Sequence, residues 1–194
     1  MSHPIQQLVV ATGNPGKLQE MQSYLGDRVR DLCLKPPELD IEETGTTFAE
    51  NARLKASQVA VALEQWAIAD DSGLCVTALE GAPGLYSARY GATDNERIAR
   101  LLRELGETTE REAYFICALA IARPDGSIAF ESEGRCPGEI LHETRGEGGF
   151  GYDPVFLVPE AQMTFAQMSA AQKDEISHRG RAFTTLLANW QNIH

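Results

Sequence analysis

The sequence predicts an α/β fold, a mixed sheet with flanking helices on both faces and a hairpin-rich lobe, and three observations carry that prediction. Short apolar runs alternate with amphipathic helical stretches through the N-terminal half, the pattern that builds a sheet flanked by helices. Further on, a long run of strand formers, REAYFICALAIAR, meets a turn signal at 124–127 and an alternating return strand, IAFESEGRCPG. No repeat, low-complexity tract or linker interrupts residues 1–194, so the whole chain reads as a single domain.

Taken in order, residues 5–11 (IQQLVVA) make a first strand. Asn14 caps the next helix with Pro15 at its first position, and Gly26 closes it. Residues 29–34 make a second strand, and the prolines and acids of KPPELDIEETG make a loop. Thr47 and Glu50 frame a capping box for a helix to about Gln65, with Ala52, Ala56, Val59, Ala60 and Leu63 on its inward face. The run WAIA at 66–69 is a buried strand ending in Asp70-Asp71-Ser72-Gly73, and a strand pattern resumes over 75–79. After the loop EGAPGLYSARYG, Thr93 and Glu96 frame a second capping box for a helix to Leu105, stopped by Gly106. The glycine-rich RGEGGFGYDP leads into a short strand, VFLV. A final helical region runs from about Ser169 to near Trp190, with an interruption at 177–180.

Composition narrows the function classes. With 43% apolar and 23% charged residues the chain is that of a soluble globular protein. A net charge of −11 argues against a partner that is a nucleic-acid polymer, which needs a broad basic face. Small anionic ligands stay open, because a local basic cluster or a bound cation reverses the field inside a cleft. The four cysteines, Cys33, Cys75, Cys117 and Cys136, are scattered without a C-x-x-C pair, which favours a reduced cytoplasmic setting over a disulfide or zinc site. The start, MSHPIQQ, lacks the basic and apolar segments of a signal peptide, and no apolar run approaches membrane-spanning length.

Polar clusters fall where strands end or loops meet helices, which is where α/β proteins place ligands. ATGNPGK at 11–17 offers helix-start amides and Lys17 to phosphate oxygens, although its glycine spacing is not that of a P-loop; the alternative is a plain helix cap with a solvated lysine. Glu42 and Glu43 either favour the following helix dipole or hold a divalent cation. Asp70 and Asp71 point to opposite sides of a strand and both need partners, for a cation, a proton or backbone amides; the alternative is a solvated turn. Phe150 and Tyr152, in a loop whose glycines allow close backbone approach, offer stacking faces, and Lys173, His178, Arg179 and Arg181 are a basic cluster in an acidic chain. Phosphate donors, paired carboxylates, aromatic faces and cations together fit a Mg²⁺-dependent enzyme acting on a nucleoside triphosphate.

The motifs T-G-N-x-G-K, E-E-T-G-x-T-F-x-E-N-A, A-D-D-S-G-L, G-A-P-G-x-Y-S-A-R-Y, G-G-F-G-Y-D-P and I-S-H-R-G occur in that order from residue 11 to about 183. In this the chain resembles the inosine triphosphate pyrophosphatase family, whose bacterial members are dITP/XTP pyrophosphatases. The resemblance implies hydrolysis of ITP, dITP or XTP to the monophosphate and pyrophosphate, which clears the nucleotide pool before a polymerase uses it. It implies a two-lobed α/β fold with an active-site cleft between the lobes, and a homodimer. Carried onto this chain, it assigns Thr12, Gly13, Asn14, Pro15, Gly16 and Lys17 to the triphosphate and Ser72 to a substrate contact. Glu43 and Asp71 match the acids assigned to Mg²⁺, and Asp71 also the proton acceptor, a role that Asp70 or Glu43 could share. Phe150, Gly151, Tyr152 and Asp153 match the nucleoside loop, and Lys173, His178 and Arg179 the residues that read the purine and phosphate region.

A 6-keto purine presents an acceptor where adenine presents an amine, so cationic donors there favour hypoxanthine and xanthine over adenine. Two rivals are weighed against this. A Maf-like pyrophosphatase acting on modified pyrimidine triphosphates is opposed by GGFGYDP and SHR, and a silent nucleotide binder does not need Glu43 and Asp71.

Overall fold

In the computed structural model, which describes residues 5–193, the chain runs through β1 (Gln7–Val10), α1 (Pro15–Leu25), β2 (Asp31–Leu34), α2 (Phe48–Leu63) and β3 (Trp66–Val76). It continues through α3 (Asp94–Leu105), β4 (Glu112–Ala122), β5 (Ile128–Ile140), β6 (Phe156–Val158), β7 (Met163–Thr164), α4 (Ala170–Ile176) and α5 (His178–Asn189). The sheet order is β2-β1-β3-β4-β5-β6-β7. It is mixed: β1 runs parallel to β2 and β3, with Val10 level with Leu34 and Ile68, while β6 is antiparallel to β5 and β7. The α/β class expected from the sequence is the one observed. The reading of the first four residues lies outside the described part of the chain.

The chain divides into two compact units. The first takes residues up to 71, 118–133 and 182 onward, and the core that α2 covers is built largely of alanine, Ala52, Ala56 and Ala60 of the helix with Ala67, Ala69, Ala118, Ala120 and Ala122 of the strands, while Leu8, Met21, Ile68, Ile121 and Phe183 are larger groups buried elsewhere in the unit. Side chains this small let a helix backbone approach closely, so polar groups carried on the same helix face come within reach of strand residues. The second takes 72–117 and 134–181 and packs larger groups, with Phe115, Phe156 and Phe165 ring against ring.

Helix boundaries follow the caps that the sequence displays. Asn14 accepts from the Gly16 amide at the start of α1, and Gly26 ends it at φ +51°. Thr47 and Glu50 form both arms of the capping box on α2. At α3 only the Thr93 arm forms, because the Glu96 carboxylate reaches past the cap to the Ala92 amide. Ser177 separates α4 from α5, where the sequence places the interruption.

Three expectations are corrected. Asp70-Asp71-Ser72-Gly73 does not end a strand: β3 runs unbroken from Trp66 to Val76. The alternation of an extended chain sends Asp70 and Asp71 to opposite faces, and each finds a cation on its own side, so no turn is needed to reach solvent. The strand then stops at Val76, and residues 77–79 form a 3-10 turn ended by Glu80 in the left-handed region. The two-residue β7, too short for a periodic signal, has no counterpart in the sequence reading.

Because α2 carries Asn51 and Lys55, both buried, its cap matters. Thr47→Ala removes the acceptor for the Glu50 amide and is expected to lower the unfolding free energy by about 1 kcal/mol. Urea denaturation with an unchanged m-value checks this; an unaltered midpoint would show that the cap contributes nothing.

Candidate active site

In the first unit, β1 delivers the chain to Thr12, whose hydroxyl accepts from the Asn14 amide at 3.2 Å. Asn14 in turn accepts from Gly16 at 2.9 Å, and Pro15 fills the first helical position, where its missing N–H costs nothing. Gly13, Asn14, Pro15 and Gly16 are exposed. One turn into α1, Lys17 Nζ lies 2.9 Å from Asp70 Oδ1, and the Asp70 side chain has no exposed surface. Asp70 thus fixes where the Lys17 ammonium sits.

On the other face of β3, Lys55 of α2 gathers the acids. Its Nζ donates to Glu43 Oε1 at 2.8 Å and to Asp71 Oδ1 at 3.1 Å, and the residue is only 8% exposed. Asn51, one turn earlier on the same helix face, donates to Asp71 Oδ2 at 3.1 Å, while its own oxygen accepts from the Gly45 amide at 2.8 Å. Burial pushes the Asp71 carboxyl above the usual carboxylate range, and Lys55 and Asn51 offset that only in part. For Lys55, burial works against the charge, yet Asp71, Asp70 and Glu43 together outweigh it and hold the amine above the ordinary lysine value.

The second unit holds the aromatic loop. Phe150 is 45% exposed, the most open ring of the loop. Tyr152 is instead core: 4% exposed, it donates its hydroxyl to the Ser87 carbonyl at 2.9 Å, and burial raises its pKa. This corrects the expectation of two stacking faces; of the pair, Phe150 alone offers one. Asp153 Oδ2 accepts from the Phe150 amide at 2.9 Å and from Lys173 Nζ at 2.6 Å. Gly149 sits at φ +72°, and a Cβ there would come within 2.0 Å of that same oxygen, so the carboxylate's position requires glycine. Lys173 Nζ also lies 4.8 Å from the Phe150 ring centroid.

His178 and Arg179 are buried at the start of α5. The imidazole stacks on Phe115 with centroids 4.8 Å apart, and Arg179 donates to the Ser72 hydroxyl at 3.4 Å. Gly180 permits this seat, because a Cβ would stand 1.7 Å from the Asp174 carbonyl oxygen.

The structure therefore brings Lys17 to Asp70, and Glu43 to Asp71, within the first unit. Within the second it brings Phe150, Asp153 and Lys173 together, and Ser72 to Arg179. Sequence reasoning missed Lys55 and Asn51. The available signal was a lysine lying on the inward stripe of α2, between Ala52 and Ala56.

The Glu43 and Asp71 oxygens converge on one ammonium, a place where charge of opposite sign is wanted. Among the described residues no set of three or more His, Cys, Asp or Glu side chains is arranged to hold a metal by itself. A pair of carboxylates is a donor set that fits Mg²⁺, which is commonly held by one or two acids plus substrate phosphates.

The sequence profile of the Ham1 family matches residues 8–189. A dITP/XTP pyrophosphatase of a Synechocystis species is 60% identical over 186 residues, covering 96% of each chain. A dITP/XTP pyrophosphatase of a Nostoc species is 63% identical over 180 residues, covering 93% of this chain and 92% of the relative. Among solved structures, the Staphylococcus aureus Ham1 protein is similar with a TM-score of 0.87 at 43% identity, covering 96% of this chain and 98% of that one. These matches bear out the resemblance read from the motifs.

Replacing Lys55 by Met leaves Glu43 and Asp71 without their shared cation, and is expected to cost about 3 kcal/mol at neutral pH. Removing the ammonium lifts the already raised Asp71 pKa further, so the deficit shrinks as pH falls and the acids protonate. In the unaltered chain the contribution of Lys55 is fully present below pH 10.5 and is lost only as pH rises through its higher folded value. Denaturation at several pH values checks this; a pH-independent deficit would contradict it.

Proposed function

The chain belongs to the Ham1 family, and from that premise we propose that it hydrolyses deaminated purine nucleoside triphosphates (ITP, dITP and XTP) to the monophosphate and pyrophosphate. The observation that carries the reading is the pair of carboxylates, Glu43 and Asp71, gathered on buried Lys55. A protein that only bound nucleotides would gain nothing from two acids held where phosphates are to come.

Each cluster has its part. Lys17 and the amides at the start of α1 take phosphate oxygens, with Asp70 orienting the lysine. Asp71 accepts the proton of the attacking water, its carboxylate held in place by Lys55 and Asn51. Asp70 is less suited, being sealed from solvent and engaged by Lys17. Lys55 and Asn51 each donate to one Asp71 oxygen and so fix the orientation of the carboxylate. Glu43 and Asp71 would hold Mg²⁺, which would supply charge neutralisation for the phosphates and lower the pKa of a bound water. Attack at the α-phosphorus expels pyrophosphate as the leaving group.

In the second unit Phe150 presents its ring to the base, and Lys173 brings a donor beside it for a 6-keto oxygen. Arg179 and Ser72 add polar contacts, and His178, stacked on Phe115, holds the start of α5 in place. The same reading extends to a homodimer in the cytosol, where Cys33, Cys75, Cys117 and Cys136, none of them in a disulfide, are in keeping with a reducing compartment.

With Mg²⁺ present, the purified protein is expected to release pyrophosphate from ITP and XTP much faster than from ATP or GTP. Equal rates on all four would sink the specificity, and release of orthophosphate alone would sink the reaction type. Asp71→Asn is expected to lower kcat on the order of 10³-fold with the fold intact, as for loss of a positioned base; substantial residual turnover would remove Asp71 from that role.

A further inference from the structure

We propose that Asp94, the first residue of α3, is a positioning residue that fixes the Phe150 ring for the base of the substrate; this rests on the pyrophosphatase reading above. The two backbone amides that bracket Phe150 both end on carboxylates. The Phe150 N–H donates to Asp153 Oδ2 at 2.9 Å, from within the loop. The Gly151 N–H donates to Asp94 Oδ2 at 2.7 Å, from an element 57 residues away. Asp94 is itself held, because its other oxygen accepts from Arg97 at 2.6 Å.

An acid in the first turn of a helix has an ordinary role, favouring the helix dipole and pairing with a cation three residues on. That role accounts for Oδ1 and Arg97 and leaves Oδ2 to the loop. The loop needs such an anchor. Gly146, Gly149 and Gly151 all sit at positive φ, and a segment so rich in glycine pays a large entropic cost to stay in one conformation. A ring that stacks on a base is effective only if it waits in place, since ordering it on binding subtracts from affinity. Asp153 fixes the peptide before Phe150 and Asp94 the one after it, so the ring direction is set before substrate arrives. The chemistry at phosphorus does not involve Asp94, so its loss acts on binding.

The test is a double-mutant cycle on ITP hydrolysis with Asp94→Ala, Phe150→Ala and the pair, together with Asp94→Asn. For Asp94→Ala the expected result is a KM raised about fivefold with kcat within about twofold, the loss of one charge-assisted hydrogen bond that acts on binding. Asp94→Asn keeps an oxygen acceptor for the Gly151 amide and is expected to show a smaller rise. In the Phe150→Ala background the effect of either Asp94 substitution is expected to vanish, because there is no ring left to position. An unchanged KM, a loss confined to kcat, or a KM rise that persists in full without the Phe150 ring would overturn the assignment. Should Asp94→Ala not fold, Asp94→Asn carries the cycle with the same criteria. Turnover of ITP by the unaltered protein reads the functional premise separately: its absence overturns premise and assignment together, whereas normal turnover with an additive cycle overturns the assignment alone.

Discussion

A buried ammonium group has to be paired, and much of the first unit is arranged around meeting that demand for Lys55. The lysine sits on the inward face of α2 at 8% exposure, where an unpaired charge would cost several kcal/mol. Glu43 arrives from the loop before the helix and Asp71 from the middle of β3, and both end on the same nitrogen. The arrangement constrains each part. The loop must hold its course at Gly45, whose amide donates to the Asn51 side-chain oxygen, and β3 must stay extended so that Asp71 faces α2 while Asp70 faces Lys17. The alanine core beneath serves the same end, since larger side chains at Ala52, Ala56 or Ala60 would lift α2 away from the strands that carry the acids.

The second unit solves a different problem with different materials. Its exposed ring, Phe150, sits on a glycine-rich loop, and exposure removes the packing that would otherwise fix it. Buried aromatics supply the ground: Tyr152 anchors the loop inward through Ser87, Phe115 and Phe165 flank His178, and Lys173 lies over both Phe150 and Phe165. Carboxylates then hold the backbone on either side of the ring. Acids in one unit are held by a cation, and amides in the other are held by acids. In both cases the polar partner is itself pinned by a further contact, which is how a site keeps its geometry before a ligand arrives.

Most of the architecture was legible because its signals are local. Asn14-Pro15 with Gly26, Thr47 with Glu50, and the turn at 124–127 each specify a boundary through neighbours a few residues apart. Motif order nominated Lys17, Glu43, Asp71, Phe150 and Lys173 for a site without saying what each touches. What escaped depends on partners distant in sequence. Whether Asp70-Asp71 is a turn or a strand is decided by Lys17 and Lys55, on two different helices. Tyr152 reads as a free aromatic until Ser87, 65 residues away, takes its hydroxyl. Asp94 at the start of α3 gains its contact to the loop only from Gly151, 57 residues away. Lys55 alone had a local sign, a charge inside an apolar stripe.

The central claim is that a water activated at Asp71 attacks the α-phosphorus and expels pyrophosphate intact. Turnover of ITP in ¹⁸O-enriched water, followed by mass analysis of both products, tests it most directly. The account expects the label in the monophosphate and none in the pyrophosphate; label in the pyrophosphate would place the attack at the β-phosphorus and contradict it.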